Sequence, residues 1–158
     1  MKKQAWKTYA IWILATEAVG ALAAFLTRDG IRLYREEIIQ PRLAPSAIVF
    51  PIVWTVLYAL MGIGAARIFL KPPSKTRTRA LGLYLVQLAF NFGWSLLFFN
   101  ARAFGLSFVW LAALLILIVW MITYFEKLDR PAAFLQLPYA LWVAFAGYLN
   151  YAVWLLNR

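Results

Sequence analysis

The chain has 158 residues, 65% of them hydrophobic and only 14% charged, with a formal net charge of +10. A water-soluble domain of that size needs more polar surface, and the basic residues sit in short clusters between apolar runs rather than along one face, which excludes a nucleic-acid binder. Cys and His are both absent, which excludes disulfides, thiolate chemistry, Cys/His metal sites and His or Cys ligation of haem iron; no metal and no resident cofactor is expected.

Five apolar segments follow one another. Each is close to the ~20 residues a helix needs to cross a hydrocarbon core about 30 Å thick. Helices are the open-chain solution there, because lipid cannot satisfy exposed backbone polar groups. The expected fold is therefore an all-α integral membrane protein, a five-transmembrane-helix bundle forming a single domain over residues 1–158.

The first segment runs from Thr8 to Leu26 and carries Glu17, the one carboxylate inside a span. Its length and that acid argue for a retained span rather than a cleaved leader. An intramembrane acid must face protein or water, and with no second buried acid to continue a relay, a packing or polar-network role is expected. The connection from Thr27 to Ala47 is long and charged, and it holds Pro41 and Pro45. Such a loop in so small a protein reads as a lid.

The second segment, Ile48 to Leu70, places Trp54, Tyr58 and Met61 on one face, with Pro51 near its start. Gly62, Gly64, Ala65 and Ala66 leave room for close helix contact, as do Ala89 and Gly93 further on, a weak signal for a homodimer. A short basic connection with Lys71, Lys75, Arg77 and Arg79 leads to the third segment, Ala80 to Phe99. There Gln87, Asn91 and Ser95 recur every four residues and share a face, with Trp94 beside them. Amides seldom face lipid, so this stripe is either helix–helix glue or the polar wall of an internal cavity.

The fourth segment spans Leu106 to Phe125 and the fifth Ala133 to Leu156. In the fifth, Trp142, Ala146 and Asn150 form another stripe, with Tyr139 and Leu149 adjoining. Trp6, Trp12, Trp120 and Trp154 suit interfacial anchoring. Trp142 lies about 13 Å along its helix at 1.5 Å per residue, near mid-membrane. An aromatic stripe there, with a small residue and an amide, describes a slot for a flat hydrophobic ligand.

Five spans put the termini on opposite sides. Ten Lys and Arg residues lie on the N-terminal side against six on the other, so the N-terminus is expected in the cytoplasm and the first loop outside, in a cell membrane whose anionic lipid attracts the loops.

The quoted residues resemble the translocator protein family, also called tryptophan-rich sensory proteins or peripheral-type benzodiazepine receptors. The likeness is carried by Leu43 to Pro45, Phe50 to Gly62, Gln87 to Ser95, Phe98 and Phe99, Pro138 to Ala146, and Leu149 to Tyr151, in family order and spacing over nearly the whole chain. The resemblance implies a bacterial-type membrane receptor or carrier that binds tetrapyrroles such as protoporphyrin IX, and benzodiazepine-site ligands. It places Gly20, Ala24, Tyr34, Trp54, Tyr58, Asn91, Trp94, Ser95, Trp142, Ala146 and Leu149 around the cavity. It also implies pairing as a homodimer. The alternative it carries is an enzyme that degrades protoporphyrin IX with light and oxygen, with Trp54 and Trp142 as the reacting residues.

The chain departs from the family pattern in places. Ala47 and Ile48 stand where many members carry Trp in the first loop, and Leu106 where animal members have Trp. The animal cholesterol motif is imperfect, because Arg158 falls one position too far from Tyr151, and cholesterol binding is not expected.

Overall fold

A computed structural model describes residues 2–158, with side chains from Ala5 onward. The described residues form helices α1 (Lys2–Glu37), α2 (Val49–Phe69), α3 (Lys75–Ser95), α4 (Phe104–Leu128), α5 (Arg130–Phe134) and α6 (Leu137–Leu156), with a π-helical turn at Leu96–Asn100 continuing α3. Among the described residues, five helical stretches are long and apolar enough to span a membrane, the fifth being α5 and α6 taken together. The all-α, five-span expectation holds.

The first connection differs from its expected bounds. It is helical through Glu37, which confines the loop to residues 38–48. Charge ends an apolar span but does not end a helix, and Arg, Leu and Glu between positions 28 and 37 are good helix formers. Pro41 and Pro45 supply the stop, since proline lacks the N–H that a continuing helix requires. At 1.5 Å per residue the 36-residue α1 is about 54 Å long, so its last turns extend beyond the hydrocarbon core.

Other boundaries follow from capping. Ser74 accepts a hydrogen bond from the Arg77 N–H at 3.1 Å and starts α3 ahead of its apolar run. Asp129 does the same for α5, accepting from the Ala132 N–H at 2.9 Å. The break between α5 and α6 precedes Pro138, which sits in the first turn of α6 where a missing N–H costs nothing.

The helices close into a ring. Contacts run from α1 to α2, from α2 to α5 and the start of α6, from α6 to α4, from α4 to α3, and from α3 with its π-turn back to α1. The core at the N-terminal face is dense: Met61, Ala65, Ile68, Ala80, Ile118, Met121 and Phe125 are all fully buried. An ion-pair cluster seals that end, with Asp129 2.9 Å from Arg67 Nε and 2.7 Å from Lys71 Nζ. Burial by itself would raise the Asp129 carboxyl, but hydrogen bonds from Arg67, Lys71 and the Ala132 N–H outweigh it and hold the group at about 2.

Candidate functional site

At the opposite end, towards the first loop, lies a cavity of about 340 Å³. It is lined by α1, the loop, α2, the end of α3 with its π-turn, and α6. The fourth helix contributes no lining residue and backs α3 and α6 instead.

The α1 wall consists of Gly20, Ala23, Ala24, Thr27, Ile31 and Tyr34, with Arg35 next to the last of them. These recur at helical three- and four-residue intervals, so one continuous face of α1 looks into the cavity. Gly20 is required by its neighbour: a Cβ there would overlap the Tyr58 ring. Tyr58 has no room to retreat, because its hydroxyl donates to Asn91 Oδ1 at 2.7 Å. Asn91 Nδ2 donates in turn to the Tyr139 hydroxyl at 3.1 Å, which donates to Gln87 Oε1 at 2.7 Å. This buried chain fixes α2, α3 and α6 relative to one another below the cavity.

A second hub sits beside the cavity on α6. Asn150 Oδ1 accepts from Trp94 Nε1 at 3.0 Å and from Ser107 Oγ at 3.0 Å, while Asn150 Nδ2 donates to the Phe104 carbonyl at 2.8 Å. Asn150 is fully buried, so each bond replaces one otherwise lost with water. The π-turn then presents Phe98 and Phe99. Phe98 stacks on Trp94 with centroids 5.2 Å apart, and Tyr34 lies against both phenylalanines at 5.4 and 5.6 Å. A π-turn widens the helix locally and re-aims its side chains. Here that brings two successive rings towards α1.

Trp54 and Trp142 face the cavity from α2 and α6. Trp54 contacts Tyr58 at 5.3 Å and Tyr139 at 6.3 Å; Trp142 contacts Phe50 at 5.9 Å and Phe145 at 5.6 Å. Their N–H groups are used differently from those of Trp94 and Trp110. Trp94 and Trp110 each donate Nε1–H to a protein acceptor, whereas Trp54 and Trp142 donate to none among the described residues and are held by ring contacts.

Of the residues expected around the cavity, Gly20, Ala24, Tyr34, Trp54, Tyr58, Trp94, Ser95, Trp142, Ala146 and Leu149 all line it. Asn91 stands one layer behind, 2% exposed and spent on Tyr58 and Tyr139. The stripe on α3 thus divides: Gln87 and Asn91 are glue, and Ser95 is wall. Met61 belongs to the packed core. Thr27, Ile31 and Arg35 were missed because the first helix was ended at Leu26, although they continue the rhythm of Gly20 and Ala24. Phe98 and Phe99 were legible only as family residues, since the π-turn that orients them breaks the 3.6-residue period.

The loop is anchored rather than free. Ile39 donates its N–H to Asn157 Oδ1 at 2.9 Å, and Asn157 Nδ2 donates to the Ile39 carbonyl at 3.0 Å. Arg102, in the left-handed region at φ 50° after the π-turn, pairs with Glu37 at 2.7 Å. Beyond these ties Gln40, Pro45 and Ala47 cover the mouth of the cavity.

Residues 12–155 match the model of the TspO/MBR family. Among similar proteins are the tryptophan-rich protein TspO of Chlorobaculum tepidum, 32% identical over 95% of this chain and 96% of that protein, and the translocator protein of Bos taurus, 39% identical over 88% and 83%. A tryptophan-rich sensory protein of Cereibacter sphaeroides is 29% identical over 96% of this chain and 92% of its own.

Proposed function

The chain belongs to the TspO/MBR family of multi-pass membrane proteins, and from that premise we propose that it is a membrane receptor or carrier for tetrapyrroles. Protoporphyrin IX is the representative ligand, and flat benzodiazepine-site ligands fit the same slot. The observation that carries this reading is the pair of indoles, Trp54 on α2 and Trp142 on α6, both in the lining of one cavity and with no acceptor for their N–H groups among the described residues. Flat aromatic ligands bind by stacking on such rings, and pockets of a few hundred Å³ lined by aromatic residues with a few polar groups are the usual form of a small-molecule site. A volume of about 340 Å³ is small for a macrocycle, so a bound porphyrin fills the slot and keeps its polar edge at the mouth. Orientation follows the imbalance of basic residues, with the loop and the mouth on the outer side.

A second reading rests on the same two side chains. An electron-rich indole against a light-excited pigment can lend it an electron and recover one, with dioxygen as the oxidant and the tetrapyrrole consumed. Titrating purified protein with protoporphyrin IX in the dark and then under light separates the two. Quenched tryptophan fluorescence with the pigment intact under light is the expected result for a receptor. Light-dependent bleaching, lost in Trp142→Phe and kept in Trp120→Phe, which lies outside the cavity, assigns the enzyme instead. The absence of any spectral change at micromolar pigment overturns both.

A further inference from the structure

The lining of the cavity contains one charged side chain, Arg35, and no carboxylate. The other cations of that face are engaged differently. Arg28 and Arg32 lie beside Asp29, and Arg102 pairs with Glu37 at 2.7 Å. Arg42 and Arg158 do not line the cavity. Arg35 has no acidic partner among the described residues; it is exposed and belongs to the lining one position beyond Tyr34, with Gln40 of the loop also in the lining. Its guanidinium is permanently charged and offers a planar fork of N–H donors that matches a carboxylate. Near the edge of a low-dielectric slot, an unpaired cation favours an anionic group on whatever enters.

We propose that Arg35 makes the cavity selective for planar apolar ligands that carry a carboxylate at one edge, with the apolar body against Trp54 and Trp142 and the carboxylate on the Arg35 guanidinium. This rests on the proposed tetrapyrrole reading and narrows its ligand class from flat molecules in general to flat carboxylic acids. The contact is partly open to water, so its contribution is modest: about three- to tenfold in affinity, below that of a fully buried charged hydrogen bond.

The test is a cycle of two ligands and two proteins in neutral phosphatidylcholine nanodiscs. Protoporphyrin IX and its dimethyl ester differ only at the carboxylates. The wild type is expected to prefer the acid, and Arg35→Gln to lose about three- to tenfold for the acid while its affinity for the ester stays unchanged. Arg35→Lys keeps the charge without the fork and is expected to retain part of the preference. Because the comparison is a ratio of ratios, the different solubilities of the two pigments cancel. An equal loss for both ligands means that Arg35 acts by shaping the mouth, and overturns the proposal. So does an unchanged preference in Arg35→Gln. Failure of both pigments to bind the wild type overturns the tetrapyrrole reading itself.

Discussion

The two ends of the bundle are built from similar residues and have opposite character. At the N-terminal face, side chains meet without space and an ion-pair cluster closes the end; at the loop face, aromatic rings surround a void. The second helix explains the difference. Its far half carries Gly62, Gly64, Ala65 and Ala66, and a Cβ at Gly62 would lie 2.6 Å from the Ile13 Cα, so α1 and α2 touch backbone to backbone there. Its near half carries Trp54 and Tyr58, whose rings keep α1 and α6 at a distance. Small residues at one end and large rings at the other make a wedge. Buried hydrogen bonds, rather than filling side chains, hold the open end in shape.

The largest expected effect comes from breaking the polar support of the open end. Asn150→Leu leaves the buried Trp94 N–H without its acceptor and removes the amide that ties α6 to the Ser107 hydroxyl and the Phe104 carbonyl, which keep their 3.0 Å bond to one another. A loss of about 3 kcal/mol is expected, read as a fall of about 8 °C in the thermal unfolding midpoint in detergent. Ligand binding should fall with it, because Trp94 is cavity wall. A variant as stable as the wild type would mean that ring packing alone keeps the cavity open.

The closed end should respond in stability alone. Asp129→Asn removes the charge that binds Arg67 and Lys71 and weakens the cap on α5. About 2 kcal/mol is expected, or about 5 °C, with affinity for pigment unchanged. The effect depends on pH in a definite direction. The folded-state carboxyl sits at about 2, below its ordinary value of 3.8, so its contribution is complete above about pH 4. It is lost as pH falls through 2. Wild type and variant should therefore differ at pH 7 and converge towards pH 2. A gap that persists at pH 2 would assign the loss to packing rather than to charge.

The sequence made the spans legible because lipid leaves the backbone one solution, and apolar length reports it directly. Trp142 was legible for a related reason, since it lies too deep in its segment for an interfacial anchor, whereas Trp54 was placed at the cavity by the family resemblance. Segment ends were less visible. Hydropathy stops at Leu26, but the helix continues to Glu37 because charge sets where the membrane ends and proline sets where the helix ends. Arg35 was hidden by that difference, read as one of several loop charges rather than the next step of the cavity face. The split between Gln87 and Asn91 as glue and Ser95 as wall was also out of reach. All three share one helix face, and only the positions of Tyr58 and Tyr139 on other helices decide which amides are already bonded.

The smallest effect on the fold, and the sharpest on the comparison, belongs to Ala146→Leu. Ala146 is half-buried on the cavity side of α6, one turn beyond Trp142. In a packed core three added carbons cost about 1–3 kcal/mol through strain. In a void they meet space, so the unfolding midpoint should shift by less than about 2 °C, corresponding to about 0.5 kcal/mol. The same carbons occupy part of a slot of about 340 Å³, and affinity for protoporphyrin IX should fall about tenfold, equivalent to about 1.4 kcal/mol. Stability and binding are thus expected to separate at this position, in contrast to Asn150, where they fall together. A stable variant with undiminished affinity would place the ligand away from the Trp142 stripe. A destabilised variant would mean that the loop-face end is packed like the other, with no wedge between the second helix and its neighbours.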